Sequence, residues 1–162
     1  EFLKNQKEHF RLGREHAEVL PPNTWTAYNL QSLEGYDPLY LNRYGKFMHY
    51  LNGGDIRTGN STRYAELSFK YDSPFIDAAN VKYFIGIGRD RDGYIPGDLI
   101  NYHFNEAGYN KVFNDKSAVV LENPKALPRT YFASSFKIED ESSVENITYV
   151  NSTSMGLVKL MI

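Results

Sequence analysis

The chain contains no cysteine and four histidines, His9, His16, His49 and His103. Without a thiol there is no disulfide, no thiolate nucleophile, no zinc–thiolate site and no iron–sulfur cluster. A nucleophile would have to be Ser, Thr or a carboxylate. None of the histidines pairs with another histidine or a carboxylate at metal-ligand spacing on one element. No serine sits in a Gly-x-Ser-x-Gly elbow, and no Gly-x-Gly-x-x-Gly or Walker-type loop occurs. Asp90, Asp92 and Gly93 match the third, fifth and sixth places of a twelve-residue calcium loop. Gly88 and Leu99 stand where the first and last ligands belong, and Arg89 and Arg91 bring positive charge to the place of the cation. The segment reads as a salt-bridged surface loop, so neither a metal nor a cofactor is expected and no catalytic residue is assigned. Asn60, Asn146 and Asn151 open Asn-x-Ser/Thr sequons, which are glycosylated only where the machinery is present.

The richest chemistry lies in the rings. Aromatic residues make up 15% of the chain, with 13 Tyr and 10 Phe beside a single Trp. Exposed Trp and Tyr faces stack on sugar rings, and Asn and Asp bind hydroxyls. Trp25, Tyr28, Tyr36 and Tyr40 are the candidates for such a platform. The competing reading packs the rings as core, because several fall on a helical stripe or within strands.

Positioning these groups requires a folded domain, and 162 residues suffice for one. The net charge of −2 lacks the basic excess that a nucleic-acid binder needs. Mean hydropathy is −0.52, and no apolar run reaches the length of a membrane span. Asp37 as N-cap, Pro38 in the first turn, an apolar stripe at Leu41, Tyr44, Phe47, Met48 and Leu51, and a stop at Gly53-Gly54 predict a helix over 38–52. Ser73-Pro74 predicts a helical turn through Ala79. Residues 10–14, 65–71, 81–87 and 130–138 read as strands, with 81–87 central. Residues 108–123 read as a hairpin turning near Asn114-Asp115, and 147–162 as a final one. Residues 139–145 form an acidic, solvated stretch. The expected fold is α+β: a single sheet, mainly antiparallel or mixed, with one long helix and one or two short ones. The start at Glu1 without Met and the apolar end read as those of a piece excised from a longer protein.

Several segments, in order, carry a family likeness. They are Pro22-Asn23, Leu33-Glu34-Gly35-Tyr36-Asp37-Pro38-Leu39, Arg43-Tyr44, Asp77 to Ile85, Tyr109 to Phe113, Val120 to Pro124, and Ala126 to Phe132. This order resembles the C-terminal region of bacterial YfhO-type membrane proteins, which are similar to the glycosyltransferase C superfamily. The resemblance spans roughly residues 10 to 136. It implies one soluble domain over 1–162 on the extracytoplasmic side of the cell membrane, attached to a membrane-embedded remainder. It also implies a non-catalytic role in cell-surface glycosylation, assisting the binding of a glycan acceptor or lipid-linked sugar donor, since in glycosyltransferases of the superfamily the catalytic carboxylate lies in an early loop between membrane helices, outside this segment. Tyr36, Asp37, Lys82 and Arg129 are the polar matched residues able to touch a substrate, and Trp25 joins them as a stacking ring. The competing class is a free-standing carbohydrate-binding module.

Overall fold

The computed structural model describes residues 1–15, 19–54, 63–67, 71–87, 104, 106–115 and 117–132. The Asp90–Gly93 loop, the three sequons, His16, His103 and the final hairpin lie outside them. The chain divides into two units, Glu1–Arg129 and Thr130–Ile162. Of the second, only residues 130–132 are described, and they form no strand.

Among the described residues of the first unit, six strands and two helices follow in order: β1 (Arg11–Arg14), β2 (Gly35–Tyr36), α1 (Asn42–Leu51), β3 (Tyr64–Ala65), α2 (Pro74–Ala78), β4 (Val81–Ile87), β5 (Asn110–Asn114) and β6 (Ala118–Glu122). Four of them form a mixed sheet in the order β1-β4-β6-β5, and β2 and β3 form a separate two-stranded ribbon. The fold is α+β. β4 is central as expected: β1 lies parallel to it with Gly13 beside Phe84, and β6 antiparallel with Leu121 beside Phe84. β5 and β6 are the expected hairpin. Its turn is held by the Asp115 carboxylate, which accepts the N–H groups of Ser117 and Ala118, both at 2.7 Å. These bonds favour the ionised form and lower the Asp115 pKa.

α2 starts as the sequence requires. The Ser73 hydroxyl accepts the N–H of Phe75 and Pro74 occupies the first turn. α1 starts later than the composition predicts. The Asp37 carboxylate does accept the Leu39 N–H at 2.8 Å, but Leu41 is extended (φ −60°, ψ 136°) and ends the turn after 40. Before this break the Asp37 N–H is donated to the Arg63 carbonyl at 3.1 Å, across the ribbon. From Asn42 on, the predicted stripe holds: Met48 and Leu51 are buried, and Tyr44 and Phe47 pack against the same cluster. Gly53, at φ +85°, ends the helix. Two other expectations shrink. The strand predicted over 65–71 pairs only at Tyr64–Ala65, with 68–70 outside the described residues. The one predicted over 130–138 is not strand at 130–132.

Two clusters bury the apolar groups. The larger gathers Leu33, Met48, Leu51, Ile76, Val81, Phe84, Phe104, Tyr109 and Leu121, among others. Its rings interlock: Tyr71 stacks on Phe104 at 4.2 Å, and Phe84 meets Phe104 and Tyr109 at 5.2 and 5.5 Å. The smaller cluster gathers Phe10, Tyr83 and Val120 under Phe2, Leu30 and Phe113. Gly13 is required by this packing, since a Cβ there would lie 2.3 Å from the Phe84 ring. Among the described residues most of the aromatic rings lie in or against these clusters. Among the described residues no helix is long and apolar enough to cross a membrane.

Candidate functional site

The segment 20–36 is shaped by backbone punctuation. After Pro21-Pro22, Asn23 takes the left-handed conformation (φ 67°) and starts a short 3-10 turn, Thr24–Tyr28, which Asn29 ends at φ 58°. Asn tolerates that conformation better than other residues with side chains. The Asn23 side chain also donates to the Tyr36 carbonyl at 2.8 Å and accepts the Tyr36 N–H at 3.1 Å. Two segments of the family likeness, Pro22-Asn23 and Gly35-Tyr36, are thereby bound to each other.

This turn corrects one expectation. Trp25 is only 4% exposed, with its ring under the Arg14 guanidinium at 5.5 Å. It offers no face for a sugar to stack on. Tyr28, three residues on, is 48% exposed. It lines a groove of 380 Å³ between the turn and the N-terminal segment, whose walls carry Lys4, Gln6, Glu8, His9, Asn29 and Gln31. The Lys4 ammonium stands 5.1 Å from the Tyr28 ring centre. An apolar ring face flanked by amides, a carboxylate and ammonium groups is the composition that holds a polar ring compound. The N-terminal wall has no signal in the sequence: residues 2–9 carry no motif that says what they will pack against.

The other four candidates disperse. Tyr36 and Asp37 are exposed neighbours at the end of β2, and the Tyr36 ring tilts against Tyr64 at 4.9 Å. Lys82 lies on β4 and connects to the groove. It donates to Glu8 at 2.6 Å and stands 3.6 Å from Glu122. Partial burial lowers its pKa, but Glu8 and Glu122 outweigh that and raise it on balance. Arg129 is exposed, at the end of the first unit. The candidates do not form one constellation.

Two buried polar networks were not foreseen. In the first, the Glu34 carboxylate accepts the N–H groups of Arg14 (2.9 Å) and Leu67 (3.0 Å), and Arg14 Nε lies 3.4 Å from it. Arg14 reaches on to Glu66 at 3.1 Å and to the Leu20 carbonyl at 2.8 Å. Burial pushes the Glu34 pKa up to about 7, against the pull of the Leu67 N–H and of Arg14. In the second, buried Asn123 donates to Asp77 at 2.7 Å and to the Val81 carbonyl at 3.3 Å, and accepts the Lys125 N–H at 3.0 Å. Asn80 donates to the Leu127 carbonyl at 2.8 Å. The matched segments 77–85, 120–124 and 126–132 therefore meet through their polar residues. Both networks read as fastenings: each ties separate elements together and neither opens on the groove.

Among the described residues no group of three His, Asp or Glu is placed to hold a metal ion. No known protein family, curated protein or solved structure matches the chain.

Proposed function

We propose that the chain is a non-catalytic extracytoplasmic domain of a YfhO-type membrane protein, and that its groove beside Tyr28 receives a sugar unit of a glycan acceptor or lipid-linked donor. The observation that carries the sugar reading is the half-exposed Tyr28 ring set among Gln6, Asn29 and Gln31 in one groove. The family reading is supported by the way the resembling segments bind one another, Asn23 to Tyr36 and Asn80 and Asn123 to the segments around them. Spacing held by such bonds is spacing that a common fold would keep. The partner of the domain is then the membrane-embedded remainder of its own chain, and a free-standing carbohydrate-binding module would use the same groove without one.

Two measurements test the two halves. Titration of the labelled chain with a panel of soluble oligosaccharides should shift the amide resonances of Tyr28, Asn29 and Gln31, and Tyr28→Ala should weaken binding about tenfold through the lost ring face. No shift with any sugar at millimolar concentration refutes the groove. For location, Lys111 is exposed, and Lys111→Cys in the full-length protein, with any cysteines outside these 162 residues replaced by serine, should be labelled in intact cells by a membrane-impermeant maleimide while the same protein without Lys111→Cys is not. Labelling only after lysis refutes the extracytoplasmic placement.

A further inference from the structure

The ribbon and the chain leaving it form a surface that the groove does not use. Leu39 is 87% exposed and Leu41 78%, on either side of Tyr40, where the chain crosses from β2 to α1. Three residues before Leu39, Tyr36 (37%) is paired across the ribbon with Tyr64 (47%), their rings 4.9 Å apart. The two leucines gain nothing for the fold: Leu41 is an N-cap without a capping side chain, and neither leucine belongs to either core cluster. Two exposed cations flank these residues along the chain, Arg43 in the first turn of α1 and Arg63 next to Tyr64, and neither is ion-paired among the described residues. Asp37, also exposed, lies between Tyr36 and Leu39, and its carboxylate accepts the Leu39 N–H at 2.8 Å.

We propose that this patch is a bilayer contact: Leu39 and Leu41 enter the acyl boundary, Tyr36 and Tyr64 lie at headgroup level, and Arg43 and Arg63 meet anionic lipid phosphates. Leucine in the acyl boundary, tyrosine at the headgroups and arginine on the phosphates is the distribution of groups that a water–lipid boundary selects. Size argues against a second copy of the chain. Two leucines and two half-exposed tyrosines offer on the order of a few hundred Å², whereas a stable dimer buries roughly 800 Å² on each partner. A bilayer has no such threshold, because each inserted CH₂ contributes separately. The proposal stands without the groove or the family likeness, and it bears on how the domain is oriented rather than on what it binds.

Flotation with vesicles of phosphatidylcholine containing a minor share of phosphatidylglycerol tests it on the 162-residue chain. The chain should float with the vesicles. Leu39→Ser combined with Leu41→Ser should lower the partition coefficient at least about tenfold, with an unchanged circular-dichroism melt because neither side chain is in a core. Arg43→Gln and Arg63→Gln should each lower it about fivefold. A tryptophan at position 39 (Leu39→Trp) should blue-shift on vesicle addition and be quenched by brominated lipid, against the constant signal of buried Trp25. The proposal is overturned if the native chain stays with the aqueous fraction, if the double variant floats equally well, or if sedimentation shows a dimer that the double variant dissolves.

Discussion

Glu34 is the residue whose chemistry is most altered by its surroundings. Its pKa in the folded chain is about 7 against an ordinary 4.5, the main cause being burial. A carboxyl with a raised folded-state pKa binds more protons folded than unfolded between those two values. Its contribution to stability is fully present below the unfolded pKa and is lost as pH rises through 7. Arg14 and Glu66, the charged groups facing it, oppose each other's effect on it. Chemical denaturation between pH 4.5 and 8 should show stability falling with pH, with Glu34 contributing at most roughly 3 kcal/mol. Glu34→Gln should flatten most of that slope. Asp77, whose pKa burial also raises, adds a slope of the same sign starting just above pH 3.8. A slope that persists in full in Glu34→Gln would show that the raised pKa belongs elsewhere. Asn80 is the second informative residue, with φ 60° and its side chain on the Leu127 carbonyl. Asn80→Ala should cost about 2 kcal/mol, from the left-handed strain and the lost bond together. Asn80→Gly should recover the backbone part, which a pair of urea titrations will show.

Among the elements, α2 and the segment after β6 depend on each other. α2 is a five-residue helix, too short to persist without tertiary support. Ser73 caps one end. At the other, the Asp77 carbonyl accepts the Leu127 N–H at 2.9 Å while its carboxylate holds Asn123. Asn123→Ala should leave the Asp77 carboxylate and the Lys125 N–H without their partner and cost roughly 2 kcal/mol. Hydrogen exchange should speed up at Leu127 and Asn80 together while β5 stays protected. Equal acceleration across the sheet would mean that the clasp is not a local unit. The ribbon stands just before α1: the Asp37 N–H is donated to the Arg63 carbonyl at 3.1 Å, and Leu39 and Leu41 follow in solvent before the helix starts at Asn42.

At the scale of the molecule, both apolar clusters and both buried polar networks lie within Glu1–Arg129. A chain ending at Arg129 should therefore unfold in one cooperative calorimetric transition. A broad transition without a heat-absorption peak would place part of the folding determinant in 130–162. Local signals were strong where neighbouring residues decide the outcome. The Ser73-Pro74 cap, the β-branched and aromatic run of β4, the Asp115 hairpin turn and the stripe of α1 were all legible, because caps, turns and periodicity act over a few residues. The α+β class followed from them. What the sequence could not determine was which surfaces meet. Read in line, Trp25 stands ahead of Tyr28 as a sugar platform. Only the packing of the 3-10 turn on Arg14 buries one and exposes the other. Glu34 reads as a surface carboxylate until β1 and Leu67 close over it from 20 and 33 residues away. Burial and pKa depend on contacts between distant segments, so they are properties of the tertiary structure and not of any stretch of the chain.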